Sequence, residues 1–120
     1  MTMKKTVLKS KLHKVVVTQA NVDYHGSITL DRDLMDAMGV CEFEKVEVNG
    51  ATTDSRISTY VIEGKRGSGI VGMNGGAARH FIVGDEIHVL AFWIIDEDKR
   101  PDVIIVETDN LNRIINTDLR

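Results

Sequence analysis

Hydrophobic and polar positions recur along the chain in short runs, and glycine or polar clusters separate these runs. Residues 45–48 alternate charged and apolar side chains, which is the pattern of a strand with one buried face. Residues 87–95 are apolar at both odd and even positions apart from His88, which predicts a central strand. The predicted strands are rich in β-branched residues and cover residues 15–18, 27–30, 45–48, 57–62, 70–73, 86–94 and 103–107.

Two segments predict short helices instead of strands. Asp31 can cap a short helix, and Gly39 stands just past its end. Residues 77–79 can form a single turn after a glycine pair. The polar residues before Pro101 predict a break, and the tail from Thr108 onward is weakly patterned, so we expect it to be mobile. Many short strands in one small chain predict a mainly β protein, a compact barrel with one or two short helices.

The length and composition describe one globular domain. A chain of 120 residues suits a single core, so we expect one domain over residues 1–120. The chain is 42% hydrophobic and 28% charged, which excludes a disordered chain. Its net charge of −3 makes it no general polycation, so we expect no nucleic-acid partner.

Cysteine usage and hydropathy indicate a cytoplasmic protein. Cys41 is the only cysteine, so an internal disulfide is impossible and a reducing compartment is the simplest expectation. The longest apolar run, residues 89–95, is far too short to span a bilayer. Residues 1–14 are basic but lead only into a valine triplet, which is too short for the core of a signal peptide. We therefore expect no membrane partner.

Several patterns that resemble chemical motifs have simpler structural explanations. Gly67, Gly69 and Gly72 match a dinucleotide-binding string, but a strand follows them where that site needs a helix, so we expect tight turns. The four histidines show no metal-ligand spacing, so we expect no bound metal, and His88 is expected to be a core or interface residue. The lysines of residues 1–14 form either a solvated basic arm or a strand that attracts a carboxylate or phosphate.

Residues 26–50 offer an alternative interpretation, a binding module instead of an enzyme. Their predicted order of strand, short helix, glycine and strand resembles the swapped-hairpin DNA-binding domain of the AbrB type. Such a module needs only about half of a chain this long. It leaves the glycine-rich second half without an explanation.

Six short blocks of another kind follow one another along the chain. They are Lys-Leu-His at 11–13, Tyr-His-Gly-Ser at 24–27, Arg56 with Ser-Thr-Tyr at 58–60, Arg-Gly-Ser at 66–68, Asn-Gly-Gly-Ala-Ala at 74–78 and Gly-Asp at 84–85. Taken together they resemble bacterial aspartate 1-decarboxylase, a family of pyruvoyl-dependent enzymes. The order, the spacing and the total length make the combination specific, although no single block is diagnostic.

The resemblance implies a small double-psi β-barrel that cuts its own backbone between Gly26 and Ser27. The Ser27 hydroxyl would attack the Gly26 carbonyl, because glycine has no side chain to block the approach or to forbid unusual backbone angles. The products would be a β chain of residues 1–26 and an α chain of residues 27–120. Ser27 would then become a covalent pyruvoyl cofactor, so no cofactor needs to bind from solution.

The resemblance also assigns roles around this bond. Tyr24, Thr59 and Asn74 would take part in self-processing, with Thr59 as the hydroxyl donor near the scissile carbonyl. The pyruvoyl ketone would form a Schiff base with the substrate amine, and Tyr60 would be the proton donor. Arg56 would hold a substrate carboxylate in a fork of two hydrogen bonds. The other implied substrate-binding residues are Lys11, His13, Thr59, Gly75, Gly76 and Ala77.

The function implied is the decarboxylation of L-aspartate to β-alanine and CO₂ for pantothenate biosynthesis, by a homotetramer with sites between subunits. Three positions on the substrate side depart from the usual family pattern, namely His25, Asn49 and Gly76. A pyruvoyl-dependent decarboxylase of a different amino acid is therefore the first alternative, and the non-enzymatic AbrB-like barrel is the second. The sequence leaves open whether a separate maturation factor takes part.

Overall fold

A computed structural model describes residues 2–120, and these residues form a mainly β structure. The strands in this range are β1 (Lys4–Val16), β2 (Gln19–Asn21), β3 (Ser27–Asp31), β4 (Lys45–Gly50), β5 (Arg56–Gly64), β6 (Val71–Asn74), β7 (Glu86–Asp96), β8 (Ile104–Thr108) and β9 (Ile114–Leu119). Helix α1 (Arg32–Met38) follows β3, and a 3₁₀ turn (Gly75–Arg79) follows β6. The predicted fold class and both predicted helical segments are confirmed.

The described strands join one sheet in the order β2–β6–β3–β5–β4–β7–β1–β8–β9. The pairs β1–β8, β2–β6 and β3–β5 are parallel, whereas the other neighbours are antiparallel. Parallel pairs need crossover connections, so the fold is not a plain meander. The sheet surrounds a single core of buried apolar side chains, as in a small β-barrel. Strand β7 lies between β4 and β1, which confirms the predicted central strand.

Helix α1 begins and ends where the sequence predicts. The Asp31 side chain accepts a hydrogen bond of 2.8 Å from the Asp33 backbone N–H, as an N-cap does. Gly39 closes the helix in the left-handed region, with a φ of 72°. The buried face of the helix is Leu34, Met35 and Met38. These three side chains fix α1 against the core.

The glycine string between β5 and β6 forms a turn around a carboxylate of this chain. Gly67 and Gly69 have φ values of 78° and 70°, a region that favours glycine. Their backbone N–H groups donate to the Asp31 carboxylate at 3.0 Å and 2.8 Å. Gly72, the last glycine of the string, lies within β6, so the string leads into a strand and not into a helix. The backbone donors that would meet a phosphate in a dinucleotide site are therefore satisfied by Asp31.

The prediction of a mobile tail is wrong. Strand β9 pairs antiparallel with β8, and the turn before it is anchored to distant parts of the chain. The buried Asn112 side chain accepts from Val16 N at 2.8 Å, and it donates to Val16 O at 2.8 Å and to Gly69 O at 2.9 Å. Asn112 thereby acts as a strand partner for the end of β1. Weak local patterning concealed this role because every partner is remote in sequence.

The basic N-terminal segment is part of a strand and not a free arm. Strand β1 is 13 residues long, whereas the sequence predicted only residues 15–18. It pairs with β7 along most of its length and with β8 near its middle. The short strand β2 was not predicted either, since its three residues are exposed and polar or small. Within residues 2–120, no helix has the length and apolar content needed to cross a membrane.

Candidate active site

Ser27 is the first residue of β3, and the antiparallel pairing with β6 places it directly opposite Asn74. Ser27 is 3% exposed. The Asn74 side-chain amide donates to Ser27 Oγ at 2.8 Å and to Thr29 Oγ1 at 2.9 Å. The strand register therefore brings a predicted nucleophile and a predicted support residue into contact.

Gly75 follows Asn74 and packs on the backbone that leads into Ser27. Its φ is 60°, which L side chains rarely adopt. A Cβ at this position would lie 2.7 Å from Tyr24 O and 2.7 Å from Gly26 N. These contacts are to backbone atoms that cannot rotate away. Only glycine fits here, and the 3₁₀ turn is thereby held against the backbone that leads into Ser27.

A side chain at Gly26 would point into open space. No atom lies within 4 Å of a Cβ built at this residue. Its φ is also outside the left-handed region that favours glycine. In the uncleaved chain Gly26 therefore adopts no backbone conformation that requires glycine. Residue 26 carries no side chain beside the carbonyl that Ser27 is predicted to attack.

Two open cavities flank the Gly26–Ser27 bond. The first, of about 490 Å³, is lined by Ser27, Tyr24, Asn74 and Tyr60 among others. The second, of about 370 Å³, is lined by Gly26, Thr59, Gly76, Ala77 and His80 among others. Tyr60 lines both cavities. Tyr60 is 36% exposed, and its ring lies 6.3 Å from that of Phe43. The predicted processing residues and the predicted proton donor thus surround one peptide bond.

Comparison with known proteins now identifies the family. The family model described as aspartate decarboxylase matches residues 3–115. This chain belongs to the aspartate decarboxylase family. An aspartate 1-decarboxylase of Exiguobacterium sibiricum is 45% identical over 112 residues, which cover 90% of this chain and 88% of that protein. Aspartate 1-decarboxylases of Bacillus thuringiensis and Bacillus cereus are each 41% identical with the same coverage. The resemblance seen in the sequence is confirmed.

Family membership also decides between enzyme and binding module. The match spans the glycine-rich second half of the chain, which the AbrB-type interpretation left without an explanation. It also includes the Asn-Gly-Gly-Ala-Ala block, whose first two residues contact Ser27 and the backbone beside it. The prediction of an enzyme is therefore confirmed.

The remaining predicted substrate-binding residues of this aspartate decarboxylase family member lie on the outer face of the sheet. Across β4, Asn49 pairs with Arg56 of β5 on one side and with His88 of β7 on the other. Directly paired residues point to the same side of a sheet. His88 stacks on His13 of β1 at a ring-centroid distance of 4.5 Å, and Lys11 precedes His13 by two residues. We call these five residues, on four adjacent strands, the cationic row.

The cationic row is separate from the two cavities within one chain. None of its members lines either cavity beside Ser27. Three strands lie between β1 and β3 in the sheet order, so these two strands are about 19 Å apart along the sheet. Arg56 is exposed and forms no ion pair with any acidic residue in the part of the chain that the structure describes. A guanidinium in that state is available for an anionic ligand.

The two stacked histidines of the cationic row are held neutral by their surroundings. Burial lowers the pKa of His13 and of His88 below the usual value of 6.5. The positive charge of Lys11 lowers the pKa of both further. At neutral pH the positive charge of the row therefore resides on Lys11 and Arg56.

Sequence reasoning missed several residues beside the bond. Gln19 and Asn21 line the larger cavity from β2, the strand that the sequence did not predict. His80 lines the smaller cavity and immediately follows the 3₁₀ turn, so its position after the Asn-Gly-Gly-Ala-Ala block was the available signal. The further residues that line the larger cavity are His25, Thr29, Ile62, Glu63 and Ile70.

Proposed function

We propose that this chain is an aspartate 1-decarboxylase that converts L-aspartate to β-alanine and CO₂ and so supplies β-alanine for pantothenate biosynthesis. The observation that carries the proposal is the contact between Asn74 and the buried Ser27 hydroxyl, in a chain of the aspartate decarboxylase family. The catalytic residues, the cofactor and the assembly given below are parts of the same proposal.

The first step is cleavage of the chain by its own serine. Ser27 Oγ forms a bond to the Gly26 carbonyl carbon, the Gly26–Ser27 C–N bond breaks, and the hydroxyl proton passes to the freed amine. The resulting ester then eliminates at Ser27, which leaves residues 1–26 with a free carboxylate. Hydrolysis releases ammonia and leaves a pyruvoyl group at the start of residues 27–120.

The residues around Ser27 fit this chemistry. The Asn74 amide fixes the position of Oγ and can stabilise negative charge that develops on it. Thr59 lines the cavity that contains Gly26, where a hydroxyl can donate to the carbonyl oxygen as it becomes an oxyanion. Gly75 packs on Tyr24 and Gly26, and the space that its missing Cβ leaves lets the turn approach the scissile segment.

The mature reaction needs an electron sink and a proton donor. The pyruvoyl group, covalently derived from Ser27, supplies the sink for the electrons left when CO₂ departs. Tyr60 borders both cavities beside the Gly26–Ser27 bond, which supports its hydroxyl as the donor to the carbon that must be protonated. Gly76 and Ala77 line the smaller cavity and allow a small amino acid to approach closely.

The place of the cationic row supports an assembly of several chains. Arg56, Lys11 and His13 have the charge and donors that a dicarboxylic substrate needs, yet none of them lines either cavity beside Ser27. Arg56 is on β5, next to β3, but Lys11 and His13 are on β1, which three strands separate from β3. We infer that the cytoplasmic enzyme is a homotetramer in which the row of one chain faces the Ser27 site of another. A separate maturation factor remains compatible with this scheme.

One observation favours a second candidate substrate. Asn49 pairs directly with Arg56, and it replaces the tryptophan that is usual in the family. A smaller side chain beside the carboxylate-binding arginine leaves room for a different amino acid. Decarboxylation assays with aspartate, glutamate and apolar amino acids distinguish the two candidates, since the second predicts a higher kcat/KM for a substrate other than aspartate.

The test of self-cleavage is intact mass spectrometry of the purified chain. Wild-type protein is expected to yield residues 1–26 and a keto-capped fragment of residues 27–120, whereas Ser27→Ala is expected to remain one chain. Ser58→Ala is the matched control, because Ser58 lines the same smaller cavity as Gly26 but has no part in the proposed steps. A Ser27→Ala chain that cleaves at the same bond would refute the role of Ser27. A chain that stays whole and binds duplex DNA in a salt-sensitive way would favour the binding module.

A further inference from the structure

Strand β1 contains an irregularity at the point where it carries the cationic row. Leu12 pairs with Val89 of β7, but the next pair is Val15 with Ile87, so β1 holds one extra residue there. Lys14 absorbs the extra residue with a φ of 60°, which is uncommon for a residue other than glycine. A bulge of this kind leaves one backbone group without a ladder partner. That group is the Lys14 N–H.

The unpaired N–H finds its partner in a side chain. His88 lies on β7 opposite the bulge, and its Nδ1 accepts a hydrogen bond of 3.1 Å from Lys14 N. The same imidazole stacks on His13, with the two rings 20° from parallel. Because Nδ1 is an acceptor, the single proton of this ring must be on Nε2. The neutral His88 thus contacts both the backbone of the bulge and the ring of His13.

We propose that His88 is a positioning residue for substrate binding: its neutral imidazole holds the β1 bulge, and so fixes the directions in which Lys11 and His13 point. The inference rests on the proposed function, because it takes Lys11 and His13 as part of the substrate site. His88 acts on the substrate only through these two residues. Its loss should therefore change KM and leave kcat nearly unaltered.

The charges around His88 oppose its protonation. Lys11, Lys14 and His13 face it from β1, Asn49 of β4 is uncharged, and Glu86 on its own strand is the acid that favours its protonation. Glu107 of β8 acts on His13 from the other side. A proton on Nδ1 would remove the acceptor for Lys14 and place a third cation between two lysines. Burial and Lys11 lower the pKa of His88, which keeps the acceptor form populated at neutral pH.

Two substitutions separate positioning from packing. His88→Phe keeps a stacking ring but has no acceptor, whereas His88→Asn lacks the ring but offers an oxygen attached to Cγ, as Nδ1 is. In the processed enzyme, His88→Phe is expected to raise KM for L-aspartate roughly five- to tenfold, the effect of one ordinary hydrogen bond, with kcat within about twofold. His88→Asn is expected to restore KM to within about twofold of wild type. The reverse order of the two variants would show a packing role and overturn the proposal.

A measurement that needs no turnover keeps this inference distinct from the proposed function. In uncleaved Ser27→Ala protein, nitrogen NMR of the histidines should show His88 Nδ1 without a proton, and the Lys14 amide should exchange slowly with solvent. His88→Phe should speed that exchange at least about tenfold. Fast exchange of the Lys14 amide in the Ser27→Ala protein would show that Lys14 N does not donate to His88 Nδ1, whether or not the enzyme is active. If wild-type protein neither cleaves nor decarboxylates, the proposed function is refuted. The contact between Lys14 N and His88 Nδ1 is then still tested separately, by the exchange rate of the Lys14 amide.

The lowered pKa of His88 makes the free energy of unfolding depend on pH. The folded pKa of His88 lies below that of the unfolded chain, so the unfolded state binds more protons between the two values. The contribution of His88 is complete above pH 6.5, decreases as the pH falls through 6.5, and levels off below the folded pKa. Denaturant unfolding of Ser27→Ala protein from pH 8 to pH 5 should show this decrease. The His88→Asn variant should show a shallower slope, and an unchanged slope would contradict the assignment.

Discussion

Gly75→Ala tests the most specific steric feature of the site. The new Cβ would lie 2.7 Å from Tyr24 O and from Gly26 N, whereas ordinary contact begins at 3.4 Å. The backbone beside the scissile bond must therefore move by about 0.7 Å. The φ of 60° adds strain, since the left-handed region costs an alanine about 1–2 kcal/mol. Together with about 1–3 kcal/mol for the overpacking, we expect a loss of roughly 2–5 kcal/mol in the free energy of unfolding.

The same displacement should slow self-cleavage. A misplacement of about 1 Å in a reacting geometry can cost about a hundredfold in rate. A shift of 0.7 Å in the segment that holds Gly26 should therefore slow cleavage roughly 10- to 100-fold. The assay is a time course of intact mass for the cleavage rate. The free energy of unfolding is measured by chemical denaturation in a Ser27→Ala background, in which every variant remains a single chain.

Two other glycines supply matched controls for Gly75→Ala. Gly76 has an ordinary φ and no atom within 4 Å of its added Cβ, so Gly76→Ala should leave folding and cleavage unchanged. Gly67 has a φ of 78° and equally open space, so Gly67→Ala should lose about 1–2 kcal/mol from strain alone and still cleave normally. Cleavage of Gly75→Ala at the wild-type rate would refute the steric argument. Equal slowing in Gly67→Ala would show that lost stability, and not local geometry, limits the rate.

Three further predictions each concern one side chain. Tyr60→Phe should cleave itself normally but lose at least about a hundredfold in kcat, and full turnover would remove Tyr60 as the proton donor. Asp31→Asn should cost about 2–3 kcal/mol in denaturant unfolding, because its carboxylate accepts three backbone N–H groups, whereas Asp33→Asn, which breaks only an exposed ion pair, should cost under about 1 kcal/mol. Asn112→Ala should cost about 2–4 kcal/mol in the free energy of unfolding, because it removes three hydrogen bonds, while exposed Asn110→Ala should stay within about 0.5 kcal/mol of wild type. Equal losses for Asp31→Asn and Asp33→Asn, or for Asn112→Ala and Asn110→Ala, would contradict these assignments.

Local chemistry was enough to predict the elements whose signals lie within a few residues. The apolar alternation of residues 45–48 and the uniform apolar run of residues 87–95 correspond to β4 and to the centre of β7. The capping carboxylate of Asp31 and the terminal Gly39 bound α1 as predicted. Such signals act between neighbours, where side-chain period, caps and turn residues decide the backbone conformation.

The candidate site was predictable only by its resemblance to a family. Gly26 and Ser27 by themselves are an ordinary dipeptide, and Asn74 is 47 positions away from Ser27. The resemblance named both residues, but it could not say that the amide of one donates to the hydroxyl of the other. It also named Gly75 without the steric reason, which is the backbone of Tyr24 and Gly26 packed against it.

The sequence by itself determined the β-rich class and the place of α1, because propensities, caps and turn residues act over short distances. Only the tertiary structure decided the order of the strands, the ordered tail and the cationic row. Asn112 completes the end of β1 across 96 positions, and His88 meets Lys14 across 74. Contacts this distant depend on which strands become neighbours in the sheet, and strand pairing is a collective outcome of burying one core that no single segment encodes.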